Sequence, residues 1–488
     1  MKIETPLSFF VLDSPRRTYE IQSTEVKLMN KKPHLLLAVL ATGIMSFAGV
    51  LIETAMNVTF PTLITEFRIT TGQVQWVTTI YLLVISVIVP LSTYLLKNFS
   101  LRRLFLAANL FFIAGLVIDF LSPSFAILLL GRLAQGISTG IALPLMFHII
   151  LTYSPLEKRG AMIGVGNLTT SIAPAIGPTY GGVLTSTAGW NYIFLFLIPV
   201  LVLSLILGVK AIPELAVVKS GSMDWVSLAG IGLMFSGFLL FLDQIASLAG
   251  LAALAVGIGG FWLFYRRSRT AKNPLIRLAV LKNSSYRLFL AGFLVCQFLL
   301  LGISFILPNY VQIVMGKDAF VAGLMMLPGA ATGAILAPLS GRLLDNIGAK
   351  KPITAGLFLA ALGWLALTLL LRWPLLAGFV AGHVFYMIGI GLSYSNMMTT
   401  GMNAIDQSQY TDGNAIFNTL QQFSGAVSTA IAATIINQVQ QRAADYRSGT
   451  VLGSQLAAAF LLILLLLTLI AVLRYFHKPH NSCEKLSH

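Results

Sequence analysis

A glutamate set in an apolar run, Leu51-Ile-Glu53-Thr-Ala-Met-Asn57, and an arginine set in another, Leu130-Gly-Arg132-Leu-Ala-Gln135, have the clearest capacity for chemistry in this chain. A carboxyl in a low-dielectric interior holds either a proton or a charge, and its neighbours decide which. A guanidinium stays charged there and has to be compensated. Together they make a proton switch: Glu53 takes a proton from outside, loosens its tie to Arg132, and releases the proton inside after a conformational change. A static ion pair that only fixes helix packing is the competing reading. Counting at 1.5 Å per residue puts Glu53 ~10 Å below the outer end of a first helix ending near residue 60. The same count puts Arg132 ~12 Å below that face in a fourth helix starting near residue 124, a matched depth.

Other ionisable residues rank behind this pair. Asp119 and Asp243 fall near outer helix ends, where water is close; Asp224 and His148 fall near the inner interface; Asp406 and Asp412 fall in a loop. His383 titrates near neutral pH, but a lone histidine is more often a hydrogen-bonded packing residue. Uncharged polar residues at mid-membrane depth, Asn57, Asn109, Gln135, Gln297, Asn396, Asn418, Gln421 and Gln422, either line a polar cavity or bond across helices. Candidate cavity residues are Asn57, Gln135, Gln297, Tyr386, His383, Asn396 and Gln421. Tyr81, Phe298, Phe305, Tyr386, Met387 and Phe423 could add an adaptable apolar wall for large cationic compounds, packing being the alternative for each.

The elements that must position these residues are membrane helices. The 488 residues are 57% hydrophobic and 10% charged, with mean hydropathy +0.84, too apolar for a water-soluble chain. Runs such as 104–121 and 456–473 are about the ~20 residues a helix needs to cross the bilayer, and the alternation of a membrane barrel is missing. Fourteen spans are expected, near 34–58, 74–96, 104–121, 124–151, 161–183, 191–209, 225–243, 248–265, 288–309, 321–344, 352–371, 375–399, 414–436 and 455–473. Lys and Arg crowd alternate breaks (Lys97, Arg102, Arg103; Lys158, Arg159; Arg266 to Arg287; Arg342, Lys350, Lys351) and both tails, whereas the opposite face has only Arg68, Lys317, Arg372, Arg442 and Arg447. Both termini are therefore expected to be cytoplasmic, in the plasma membrane. The break 400–413 has no Lys or Arg, so the last helix pair is the least firmly oriented. Met29 opens MNKKPHLLL and reads as an alternative start.

The net charge of +15 is spread in short loop segments, which topology control explains, and nucleic-acid binding is not expected. Cys296 and Cys483 give neither a disulfide framework nor metal-ligand spacing. With no nucleotide-binding loop and no catalytic triad, an enzyme is not expected, and no cofactor beyond a proton gradient is required.

Residues 90–103 read PLSTYLLKNFSLRR, and 338–351 read PLSGRLLDNIGAKK. An internal duplication is the usual ancestry of transporters. The second copy, Gly341-Arg-Leu-Leu-Asp345-Asn-Ile-Gly348-Ala-Lys350-Lys351, resembles the G-x-L-x-D-x-x-G-x-[RK]-[RK] loop of the major facilitator superfamily. Glu53-Thr-Ala-Met-Asn57-Val-Thr-Phe-Pro61 resembles its first-helix motif with Glu for Asp, Gly131-Arg132-Leu-Ala-Gln135-Gly136 its fourth-helix motif, and Ala173-Pro174-Ala-Ile-Gly177-Pro178-Thr-Tyr-Gly181-Gly182 its fifth-helix antiporter motif. With fourteen spans the chain is similar to the family's multidrug:proton antiporters.

The resemblance implies an all-α major facilitator fold of 6 + 2 + 6 helices. It comprises a tail (1–33), an N-terminal bundle (34–209), a linker with two extra helices (210–287), a C-terminal bundle (288–473) and a second tail (474–488). It further implies a monomer that exchanges external protons for an amphiphilic or cationic small molecule by alternating access. The glycines Gly341 and Gly348 would let helix ends approach, and Asp345 would latch the cytoplasmic gate with Lys350 and Lys351. In the first copy Thr93, Lys97 and Ser100 replace these Gly, Asp and Gly residues, which puts the latch there in doubt. A dedicated exporter of one endogenous metabolite and a non-transporting membrane sensor remain open readings. The extra helix pair has too short an outer connection for a domain and reads as a peripheral brace.

Overall fold

The computed structural model describes residues 35–154, 156–212, 223–245, 247–271 and 274–477. The expected N-terminal tail with Met29, part of the linker at 213–222, and most of the C-terminal tail, with Cys483, lie outside the described residues. Among the described residues there is no strand, and fourteen long helices make up most of the fold. They are α1 (Leu35–Phe67), α2 (Thr71–Asn98), α3 (Leu101–Phe120), α4 (Phe125–Tyr153), α5 (Leu156–Thr187), α6 (Tyr192–Ala211), α7 (Trp225–Asp243), α8 (Leu248–Thr270), α9 (Ser284–Ile313), α10 (Ala319–Ile347), α11 (Lys350–Leu370), α12 (Leu376–Asn403), α13 (Tyr410–Arg442) and α14 (Tyr446–His477).

Twelve of these helices are long and apolar enough to cross a membrane. The other two, α5 and α13, are rich in Gly, Ser, Thr, Asn and Gln; α13 turns Gly, Ser and Thr toward other helices, as α5 does with Gly177, Gly181 and Gly182. The helices also outrun their apolar cores: α1 continues through Pro61 to Phe67.

Helices α1 to α6 pack as one bundle and α9 to α14 as a second. We name the two faces after the charge reading, with Leu35 and His477 on the inner face. Among the described residues, the hydrogen bonds joining the bundles all lie toward the outer face. Gln312 Nε2 donates to Val58 O at 2.8 Å, Thr71 Oγ1 donates to Gln440 Oε1 at 2.8 Å, and Phe320 N donates to Ser186 Oγ at 3.0 Å. The Phe60 and Phe305 rings meet edge-on at 5.7 Å. The molecule is thus pinned shut outside.

The α7–α8 hairpin is not merely peripheral, since α7 lies in the seam between α2 and α13. Phe235 stacks on Phe423 at 4.0 Å, and Leu239 is buried with Tyr81 and Leu82 of α2 and Ala426 and Ala430 of α13. At its outer end the Trp76 side chain hydrogen-bonds Asp243, while Thr434 Oγ1 donates to Leu242 O at 3.2 Å.

Candidate functional site

Arg132 is fully buried on α4. Its Nε donates to Val77 O of α2 at 3.0 Å, its Nη1 donates to Gln135 Oε1 at 2.6 Å, and its guanidinium carbon stands 4.2 Å from the Tyr81 ring centroid. The last contact is a cation–π arrangement, favourable in a dry interior. Tyr81 is in turn fixed by hydrogen bonds of its OH, donating to Gly49 O at 2.8 Å and paired with the Thr139 hydroxyl at 2.9 Å.

The expected direct tie between Glu53 and Arg132 is not made. The rings of Phe67 and Phe125 are 6.1 Å apart, so the outer ends of α1 and α4 are level. Glu53 lies fourteen residues below the end of α1 and Arg132 seven below the start of α4, an offset of about 10 Å along the axes. The matched depth fails because α1 runs past residue 60. The two remain within electrostatic reach of each other, with Tyr81 beside both. No hydrogen bond or ion pair joins Glu53 to a described residue, and its residue exposure is 8%.

Arg132 finds its carboxylate elsewhere. Gln135 Nε2 donates to Asp119 Oδ2 at 2.7 Å, so Asp119 and Arg132 share Gln135. Asp119, expected near water, is fully buried; the end of α3 packs under α4, where Gly131 leaves room for it, and a Cβ at that position would overlap Asp119 Oδ1. Sequence reasoning ranked this residue behind Glu53 and Arg132, as one near water at an outer helix end. The available signal was its position twelve residues before Gly131-Arg132, on the next helix of a short hairpin.

The fifth-helix motif packs against this centre. A Cβ on Gly177 would overlap Thr54 Oγ1 and one on Gly181 the Ala55 carbonyl, so α5 lies against α1 one residue from Glu53; Gly182 meets Ala319 and Gly323 of α10 across the bundles. Pro174 and Pro178 lie within the same helix.

The candidate cavity residues divide into two groups. Gln297 and Gln421 come together around Tyr394, whose OH donates to Gln297 Oε1 at 2.5 Å and accepts from Gln421 Nε2 at 2.7 Å. Tyr394 also stacks on Phe293 at 4.4 Å and lies within electrostatic reach of Glu53. The others serve packing in this conformation. Asn57 accepts from Thr78 Oγ1 at 2.9 Å, Gln135 belongs to the arginine network, and Asn396 Nδ2 clamps Ser340 of α10 at 2.7 Å. Tyr386 packs edge-on to Trp364 at 5.2 Å. His383 is buried against Gly329, and among the described residues its Nδ1 has no hydrogen-bond partner, where a hydrogen-bonded packing role was expected.

The inner loop departs from its expected latch. Asp345, Lys350 and Lys351 are exposed, and no ion pair joins Asp345 to a described residue. Added Cβ atoms at Gly341 and Gly348 would meet nothing within 4 Å, so close approach is not their role here. Gly348 has φ +75°, which favours glycine whatever the space. In the first copy Ser100 has φ −64° and caps α3 by accepting from Arg103 N, which removes the need for glycine there. Asp224 caps α7 through Ser227 and pairs with Arg267 of α8 at 3.0 Å.

Comparisons with known proteins agree with this architecture. The lincomycin resistance protein LmrB of Listeria innocua is 35% identical over 400 residues, 81% of this chain and 85% of that protein. LmrB of Bacillus subtilis is 33% identical over 433 residues, 87% and 88% of the two. The colistin resistance protein EmrB of Acinetobacter baumannii is 27% identical over 375 residues, 74% and 72%. Among solved structures, a bacterial homolog of the human lysosomal transporter Spinster, inward-facing and unoccupied, superposes with TM-score 0.65 at 15% identity, covering 91% of this chain and 98% of that one. A POT family transporter in complex with a thioalcohol-conjugated peptide superposes with TM-score 0.67 at 13% identity, covering 89% and 96%. The family model of the Major Facilitator Superfamily matches residues 42–429, and this multi-span membrane chain belongs to that superfamily.

Proposed function

We propose that the chain is a proton-coupled exporter that carries amphiphilic or cationic drugs or similar small molecules out of the cell by alternating access. Both termini are cytoplasmic in this reading. The observation that carries it is Glu53: a carboxylate inside the helical bundle, unbonded to its neighbours, with a fixed arginine in electrostatic reach and a polar cluster of Gln297, Tyr394 and Gln421 across the bundle interface. Relatives named for lincomycin, colistin and multidrug resistance support the substrate class.

The mechanism follows from what each group can do. Ionised Glu53 attracts Arg132 Nη2, the guanidinium nitrogen without a hydrogen-bond partner among the described residues, and with it the α1–α4 contact. Protonation removes that attraction and leaves Arg132 held by Val77 and Gln135. The rocking of α1–α6 against α9–α14 is thereby tied to the proton on Glu53. In the outside-closed arrangement Glu53 gives up its proton inward and the vacated carboxylate favours a cationic or polar substrate. When the seam at Gln312, Thr71 and Phe60 opens, an external proton displaces the substrate.

The test is accumulation of ethidium or lincomycin in inside-out vesicles with an inside-acid gradient. Wild type accumulates the probe, and Glu53→Gln at equal protein level does not. Full gradient-driven accumulation by Glu53→Gln would end the assignment.

A further inference from the structure

Asp119 has no part in the mechanism above, yet its carboxyl is fully buried, and among the described residues no cation is in ion-pair contact with it. Burying a carboxylate is costly unless a charge balances it, and among the described residues the charge in its network is Arg132, one side chain away. The link consists of two short bonds, Arg132 Nη1 to Gln135 at 2.6 Å and Gln135 to Asp119 at 2.7 Å. The slot is built for it, since any side chain at Gly131 would occupy the space of Asp119 Oδ1, and a Cβ at Gly115 would run into Gly131 O and the Gln135 side chain.

Resting on the reading of Glu53 as proton carrier, we propose that Asp119 is a positioning residue of the proton circuit: a permanent counter-charge that, through Gln135, balances Arg132 while Glu53 is protonated. The arginine then has two carboxyls with different duties. One is walled in and fixed, and the other lies beside a polar cluster and exchanges its proton. Without the fixed charge Arg132 would face Glu53 uncompensated and hold it ionised, so protons would load only from more acidic solution. The groups that face Glu53 electrostatically are Arg132 of α4, Tyr81 of α2 and Tyr394 of α12. From α5, α6 and α9, which also pack on α1, no described ionisable side chain enters the network.

The test is infrared difference titration of the purified full chain in lipid nanodiscs, following the protonated-carboxyl band that Glu53→Gln removes. In Asp119→Asn, which keeps the size and hydrogen-bonding capacity of the side chain, the midpoint of that band moves toward acid by about one pH unit. In Asp119→Asn with Gln135→Glu, where the charge is restored one residue nearer the arginine, the midpoint returns. An unmoved midpoint in Asp119→Asn, or a folded double variant that fails to restore it, overturns the proposal while leaving Glu53 as proton carrier. Absence of any titrating Glu53 band in the wild type overturns both. If Asp119→Asn is not recovered folded, the double variant decides: recovery with the wild-type midpoint upholds the proposal, and no recovery overturns it, because charge is all the proposal asks of position 119.

Discussion

Arg132 and Asp119 never touch, yet Gln135 accepts from the first at 2.6 Å and donates to the second at 2.7 Å, so one neutral amide links the two side chains. The geometry uses the guanidinium as a fork, with Nε on Val77 O, Nη1 on Gln135 and the plane over Tyr81.

A lysine cannot reproduce that fork, because its ammonium is a point charge on a flexible stem. Arg132→Lys is expected to keep normal protein level but lose tenfold or more of drug-driven proton flux, about 1.4 kcal/mol. Arg132→Ala leaves Asp119 buried without a counter-charge and should cost about 3–5 kcal/mol of stability. Flux in proteoliposomes and thermal unfolding in detergent read the two effects separately. Equal flux in Arg132→Lys and wild type would refute the fork.

Two glycines from recognisable motifs are expected to behave in opposite ways. At Gly177 an added methyl runs into Thr54 and the Leu51 carbonyl, 2.9 Å away. Overpacking of this kind costs about 1–3 kcal/mol, so Gly177→Ala should lower the unfolding temperature and slow transport, with Thr54→Ala restoring part of the loss. At Gly341, inside α10, there is open space, and Gly341→Ala should hold or raise the unfolding temperature in the same assay, since alanine is the better helix former by up to about 1 kcal/mol.

That contrast marks how much was legible in the sequence. Helix number and the internal repeat followed from hydropathy and residue order, since a bilayer imposes length and polarity on each span. Glu53 and Arg132 stood out because charge in an apolar run is costly. Asp119 did not, since its burial depends on how the end of α3 packs under α4, a tertiary fact. Counting depth from the end of the apolar run misled for Glu53, because α1 continues to Phe67. Likewise Gly348 is a glycine for its backbone angle and Gly177 for its neighbour, and the letter alone does not tell them apart.

The outer seam predicts a measurable conformational bias. Removing one hydrogen bond costs about 1 kcal/mol. Gln312→Ala, which deletes the bond to Val58 O, should therefore shift the balance toward the outward-open state about fivefold. Spin labels on the outer ends of α1 and α9 would report this as a gain in the long-distance population. A cysteine pair at Thr71 and Gln440, which hydrogen-bond across the seam, should stop transport when oxidised and release it on reduction. Transport by the fully oxidised protein would mean that α2 and α13 need not part.

Outside the membrane-spanning segments, Asp224 offers a pH-dependent prediction. Burial works to raise its proton affinity, but two hydrogen bonds from Ser227 and the Arg267 guanidinium outweigh it and hold the carboxyl below its ordinary range. A carboxyl depressed in the folded state contributes stability above its unfolded value, about pH 3.9, and loses it as pH falls through the folded value. The cap contributes about 1 kcal/mol, whereas the ion pair adds at most about 1 because Arg267 is partly exposed. Asp224→Ala should therefore unfold at a lower temperature than wild type at neutral pH, by a gap that stays constant down to about pH 5 and narrows below about pH 4 to the part that the protonated carboxyl keeps as a neutral cap. Asp224→Asn keeps a capping side chain and should show only the smaller, ionic part of the gap. A gap for Asp224→Asn as large as for Asp224→Ala would shift the credit from the cap to the Arg267 pair, and a gap that widens in acid would contradict the sign of the linkage.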